Sequence, residues 1–316
     1  MPSSHALVAV DLGKSRCRAL IAESSGVDSG VVSAADERRV PRRPVYDGIG
    51  APGLSAAGGV DAALAAILPM RDHLDAQISA VSVGAAGAWA APEAASELAA
   101  VLADAFHVPV AVTSDVVSAH AGALGGGAGV LLIAGTGAAA LGIDGEVATL
   151  VDGWGPELGD LGSGSWFGRE ALRAVLRASV GLAVETVLTD AVAATIGEPA
   201  AVPAWISMDG PVPRRLATLA PLLLDAAQSG DAVSADIAAE GIRLLVASAI
   251  AASSSSREVA LHGGLTDHVW FRSSLAQALR AADRTVVVSS GDALDGALLL
   301  AERTDLPHER FVHRAE

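Results

Sequence analysis

Residues 6–22 read ALVAVDLGKSRCRALIA. An apolar run ends on Asp11, a short polar turn carries Gly13, Lys14 and Ser15, and a second mostly apolar run starts at Cys17, which is the pattern of a β-hairpin. Residues 130–143, VLLIAGTGAAALGI, repeat the device as strand 130–134, the turn Gly135-Thr136-Gly137 and strand 138–143. Either turn alone reads as an ordinary glycine-rich hairpin turn. Two of them, followed by Gly263-Gly264 after a third short strand at 259–261, point to a common ligand. Each hairpin turn offers backbone N–H groups, small side chains and a hydroxyl, the donors that hold a triphosphate, and Asp11 is placed to hold a water on Mg²⁺.

Outward from these turns, strands alternate with helices. Residues 38–44, with four arginines and two prolines, and the loop-rich 48–59 read as irregular and solvent-facing. Helix 60–68, strand 78–83, helix 92–105 and strand 108–112 follow, the last running into Thr113-Ser114-Asp115, and strand–helix–strand implies a parallel unit. A helix is expected over 116–124. After Trp154-Gly155-Pro156, the series Gly159-Asp160-Leu161-Gly162-Ser163-Gly164 leads into a helix from Trp166 to about 178. Glycines ahead of a helix N-terminus favour an anion or a hydroxyl-rich ligand. Residues 185–256 read as Ala- and Leu-rich packing helices, 285–288 as a strand, and 295–301 as a last helix.

A chain of 316 residues is longer than the about 100–200 typical of one domain, so two domains are expected. The sequence is 51% hydrophobic and 18% charged, with mean hydropathy +0.45, which excludes a disordered chain. With 3% aromatic residues and 34 glycines, the core must be closely packed Ala, Val and Leu. A net charge of −15 repels phosphate backbones and anionic lipid, so neither nucleic acid nor membrane is expected as a partner. The uncharged stretch 116–143 is long enough to span a bilayer, but His120 and its glycines interrupt it. Cys17 is the single cysteine, which allows no internal disulfide and fits a reducing cytoplasm. Residues 1–10 lack a basic start and resemble no export signal.

The order of these pieces resembles the actin-like ATPase (ribonuclease H-like) fold of sugar kinases, heat-shock chaperones and actin. Within it, the chain is similar to the N-acetylglucosamine kinase and BadF/BadG/BcrA/BcrD family. Asp11 through Leu20, Val112 through His120, Val130 through Ile143, Gly153 through Gly168, Leu261 through Leu265 and Gly291 through Ala301 carry the likeness. The most specific piece is 153–166, which resembles the sugar-kinase segment that cups the hexose. The resemblance implies an α/β protein of two domains, 1–117 with 291–316 and 118–290, each with a mixed sheet flanked by helices, closing over an interdomain cleft.

The same resemblance implies an ATP- and Mg²⁺-dependent kinase phosphorylating an amino sugar, N-acetylglucosamine at O6 foremost, and a homodimer. Asp115 would be the catalytic base that takes the hydroxyl proton, and it also reads as the N-cap of a helix starting at Val116, two roles that can coexist. Nucleotide would be held by Asp11, Gly13, Lys14, Ser15, Gly135, Thr136, Gly137, Gly263 and Gly264, with Asp11 the metal ligand. Sugar would be held by Asp115, Gly135, Thr136, Trp154, Gly155, Asp160 and Ser163. Departures from the pattern stand at Lys14, Ser15 and Arg16, where relatives carry glycine and then Thr and Lys. Others are Leu161, where an acid is usual, and 48–53, which lacks the usual Asn. A different reading is an ATPase that activates a partner redox enzyme, as some relatives do, but those use paired cysteines to hold an iron–sulfur cluster and this chain has only Cys17. A sugar sensor without turnover is the third reading.

Overall fold

The computed structural model describes residues 6–23, 42–74 and 77–316. The strands are β1 (Ala6–Leu12), β2 (Cys17–Glu23), β3 (Arg42–Gly48), β4 (Ile78–Ala85), β5 (Val110–Ser114), β6 (Gly129–Ala134), β7 (Ala138–Asp144), β8 (Val147–Asp152), β9 (Glu258–His262), β10 (Thr285–Val287) and β11 (His313–Ala315). The helices are α1 (Gly59–Ile67), α2 (Pro92–Phe106), α3 (Asp115–Ala123), α4 (Gly164–Ser179), α5 (Leu188–Ile196), α6 (Val202–Ile206), α7 (Val212–Ala217), α8 (Ala220–Gln228), α9 (Ala232–Ala252), α10 (Val269–Ala281) and α11 (Ala293–Glu302). Among the described residues no helix is long and apolar enough to cross a membrane.

The chain divides into two compact units, residues 1–127 with 289–316, and residues 128–288. The expected boundary at 117/118 falls inside α3, and the division in the structure falls after Gly127. In the first unit six strands lie in the order β11-β5-β4-β1-β2-β3; in the second, five lie in the order β10-β9-β6-β7-β8. The two sheets repeat one topology. An antiparallel meander, β1-β2-β3 or β6-β7-β8, is joined through its first strand to two parallel strands, β4 and β5 or β9 and β10.

β1 reads as an unbroken apolar run because both its faces are covered. Val8 and Val10 pack with Val83, Leu98, Leu102 and Val112, while Leu7 and Ala9 pack with Leu20, Leu294 and Leu298. In the second unit Val130, Leu132 and Ala134 of β6 pack with Phe167 and Leu172 of α4, Leu245 of α9 and Phe271 of α10.

Several sequence expectations are corrected. Residues 42–48 form β3 rather than an irregular loop, while 38–41 lie outside the described residues. Pro44 is tolerated there because β3 is an edge strand and its register with β2 shifts between Ala19 and Leu20, beside the Leu20–Pro44 pair. β8 and β11 were not anticipated. α4 starts at Gly164, two residues ahead of Trp166, and α11 at Ala293. α11 is opened by a capping box in which Asp292 accepts from Leu294 and Asp295, and Asp295 accepts from Asp292.

Candidate functional site

In the first unit the candidate residues gather at the C-terminal ends of the parallel strands. Asp11 pairs with Gly84 on β4, and Gly84 pairs with Thr113 on β5, so roughly 10 Å, two strand spacings, separates the Asp11 and Thr113 backbones. Asp115 follows at the first position of α3, with Ser114 at the N-cap position. Its side chain is therefore not the cap expected for a helix starting at Val116. Its Oδ1 instead accepts from the Val116 N–H at 2.9 Å and from the Ser114 hydroxyl at 3.2 Å. Burial pushes the Asp115 carboxyl above the usual carboxylate range; the bonds from Val116 and Ser114 oppose this, the Asp11 carboxylate adds to it and Lys14 counters it. Asp11, Lys14 and Asp115 thus share one electrostatic neighbourhood.

The first turn is closed by the Gly13 N–H donating to the Arg16 carbonyl at 2.9 Å. Lys14 and Ser15 are exposed on it, and their N–H groups donate to no described residue. The loop 48–51 backs onto this turn, Ala51 N–H donating to the Gly13 carbonyl at 3.2 Å. A side chain at Gly50 would lie 2.1 Å from that oxygen. Asp11 is not solitary: Arg18, its cross-strand partner, donates from Nε at 3.2 Å and Nη2 at 2.7 Å to Oδ2, and from Nη1 to Asp292 at 3.4 Å. Both bonds fall on one oxygen of Asp11. Cys17 is fully buried, and burial, with the charges of Asp11 and Asp47, pushes its thiol up to about 12. A thiol so held is an unreactive packing group.

In the second unit the Gly135-Thr136-Gly137 turn is locked by its carbonyls. Gly164 N–H donates to Gly135 at 2.8 Å and Ser165 N–H to Thr136 at 3.1 Å. Ser163, fully buried, accepts from Trp166 N–H at 3.1 Å and is bonded to Ser165 Oγ at 3.0 Å. The first N–H groups of α4 are thus consumed by the protein, so this helix N-terminus is not the anion site that its glycines suggested, and Ser163 is its cap. The N–H groups of Thr136 and Gly137, by contrast, donate to no described residue.

Asp160 reaches the same turn: its Oδ1 accepts from Ala138 N–H at 3.1 Å. A side chain at Gly137 would lie 2.7 Å from that oxygen, so Gly137 is kept small by Asp160. Gly263 approaches from β9 with φ 102, and a Cβ there would sit 2.6 Å from the Ala134 carbonyl carbon. Gly264 is exposed and a Cβ on it meets nothing within 4 Å. Trp154 stands 66% exposed at the start of the 153–162 loop, beside Gly155. Arg169 of α4 donates to the Pro156 carbonyl at 2.7 Å and ties that loop down.

The sequence reading missed Arg18, Gly50, Asp152 and Arg169. Arg18 had a signal, since a hairpin with its turn at 13–16 places it opposite Asp11. Asp152 had a weaker one in the Asp-Gly pair 152–153, a turn dipeptide. As to a divalent cation, no group of three or more His, Cys, Asp or Glu is gathered for one among the described residues. A single carboxylate beside unspent N–H groups suits Mg²⁺, which is held by one or two carboxylates together with substrate phosphates.

Two mixed sheets of one topology, each with a glycine turn between its first two strands, are the architecture of the actin-like ATPase fold. The chain belongs to the BadF/BadG/BcrA/BcrD ATPase family, whose model matches residues 10–301. Its nucleotide is accordingly ATP. No curated protein matches by sequence. Among solved structures, a Chromobacterium violaceum protein provisionally named N-acetylglucosamine kinase is 26% identical, with 94% of this chain and 99% of that one covered and a TM-score of 0.69. A Porphyromonas gingivalis protein with the same provisional name is 20% identical (92% and 96% covered, TM-score 0.66), and a non-polymerising MamK mutant bound to AMPPNP is 14% identical (95% and 100%, TM-score 0.50). The last two show the fold.

Proposed function

We propose that this protein is an ATP-dependent carbohydrate kinase whose acceptor is an N-acetylated amino sugar, N-acetylglucosamine at O6 foremost. The observation that carries the reading is Asp115, a recessed carboxylate of raised proton affinity at the end of β5, close to the charges of Asp11 and Lys14. It is supported by the family and by the 26% identical Chromobacterium violaceum protein.

On this reading Asp115 accepts the proton of the acceptor hydroxyl while that oxygen bonds to the γ-phosphorus and the bond to the leaving ADP oxygen breaks. Bound MgATP supplies the phosphoryl group and neutralises the charge that develops. Asp11 would hold the cation, with Arg18 restraining its carboxylate. The N–H groups of Thr136 and Gly137, and of Lys14 and Ser15, would donate to phosphate oxygens. Asp160 would accept from ring hydroxyls, and the exposed Trp154 ring offers a stacking face. Ser163 serves as the cap that fixes this loop and not as a direct sugar contact. Gly264 is open enough to border the nucleotide, while Gly263 lets β9 approach the turn.

A coupled ADP-release assay over glucose, glucosamine, N-acetylglucosamine, N-acetylmannosamine and N-acetylmuramate tests this. An N-acetylated hexosamine is expected to show the highest kcat/KM. Highest efficiency with glucose or glucosamine would overturn the acceptor, and the absence of any sugar-dependent ADP release would overturn the kinase.

A further inference from the structure

Asp152 ends β8, in register with Ala139 of β7, and is 3% exposed. Its backbone is left-handed, φ 62, and so is that of Asp160, φ 54. Glycine would occupy either position without strain. Asp residues held there persist where the surroundings over-determine them, and such residues concentrate at functional loops.

The side chain of Asp152 is fully engaged with the loop it opens. Oδ1 accepts from the Asp160 N–H and Oδ2 from the Leu161 N–H, both at 2.8 Å. Asp160 Oδ1 in turn accepts from Ala138 N–H at 3.1 Å, and Gly153 N–H donates to the Ala138 carbonyl at 3.1 Å. Two carboxylates in series therefore connect a buried strand end to the residue that follows the Gly135-Thr136-Gly137 turn. Charge-assisted bonds of this kind are the strong ones and fix geometry as well as energy. They also place the Leu161 backbone.

We propose that Asp152 is the positioning residue of the acceptor loop: it fixes the backbone of Asp160 so that the Asp160 carboxylate is presented to ring hydroxyls of the acceptor while seated against the 135–138 turn, and it thereby sets acceptor selectivity. This rests on the sugar-kinase reading. Selectivity follows because an acceptor with an inverted or missing hydroxyl leaves a fixed carboxylate unpaired, whereas a loosely held one can readjust.

Asp152→Gly separates backbone from side chain, since it suits the left-handed conformation and deletes only the carboxylate. Asp152→Asn retains one acceptor oxygen. In substrate-free Asp152→Gly, the amides of Asp160 and Leu161 are expected to exchange hydrogen much faster than in wild type while those of β6 and α9 keep their protection. kcat/KM for the preferred sugar is expected to fall by about 10²-fold, carried by KM rather than kcat, with KM for ATP unchanged and discrimination between N-acetylglucosamine and N-acetylmannosamine reduced. Asp152→Asn should recover part of the loss. Unchanged exchange at 160 and 161, or an equal loss of kcat with every acceptor, would overturn the proposal. A wild type that phosphorylates no sugar would remove the selectivity and the sugar-kinase reading together, and the exchange measurement would then decide the anchoring alone.

Discussion

At the scale of single residues, the proton affinity of Asp115 sets the expected chemistry. Its carboxyl is raised chiefly by burial, so it protonates at a higher pH than the about 3.9 of an ordinary Asp. A base works only when deprotonated, so kcat/KM should fall as pH drops through this raised value. Asp115→Asn is expected to lower kcat by about 10²–10⁴-fold, to abolish that acid limb in the residual rate, and to leave the melting temperature near that of wild type. A variant with near-normal kcat would remove Asp115 from the proton transfer. The position of Asp115, just after β5 and at the start of α3, was legible because a carboxylate after a short apolar strand is a local pattern, whereas its role was read from the family resemblance. Asp152 and Arg18 were harder, because each is defined by what its side chain grips: backbone eight and nine residues onward for Asp152, carboxylates on β1 and at the start of α11 for Arg18.

Among the elements, α3 and α11 pack backbone against backbone. A Cβ on Gly122 would sit 1.8 Å from the Asp292 carbonyl oxygen, and one on Gly296 would sit 1.8 Å from that of Ser118. Both collisions are with backbone and cannot be relieved by turning a side chain. Gly→Ala within a helix ordinarily stabilises by up to about 1 kcal/mol. Here Gly296→Ala is expected to destabilise by about 1–3 kcal/mol, as overpacking does, read as a lower urea midpoint at unchanged slope. Unchanged or increased stability would show that the two helices can part without cost. The paired hairpins and the strand–helix alternation were legible because turn chemistry and periodicity act over a few residues. β3 was obscured by Pro44, which an edge strand accommodates, and by the run of arginines around it in the sequence, and β11 is three residues long, too short for a periodic signal.

For the molecule as a whole, a buried histidine pair in the first unit predicts sensitivity to acid. His120 of α3 and His308 are both fully buried, with His120 Nδ1 and His308 Nε2 2.8 Å apart. One ring must donate and the other accept, so charging both would set two donors against each other. Burial, with the charge of His120 adding to it, lowers His308 from 6.5 to about 3. The unfolded chain therefore binds this proton more readily, and the stabilisation, complete above pH 6.5, is lost progressively as pH falls towards 3. His308→Gln should show a shallower decline of melting temperature over that range, and an identical decline would exclude the pair as its origin. The division of the chain has a consequence for synthesis. Residues 128–288 form a continuous unit, whereas β1 awaits Leu294 and Leu298 to cover its second face and β5 awaits β11. On a ribosome the later-made unit can complete its core first, while the unit begun earlier holds an open sheet until residues 289–316 emerge.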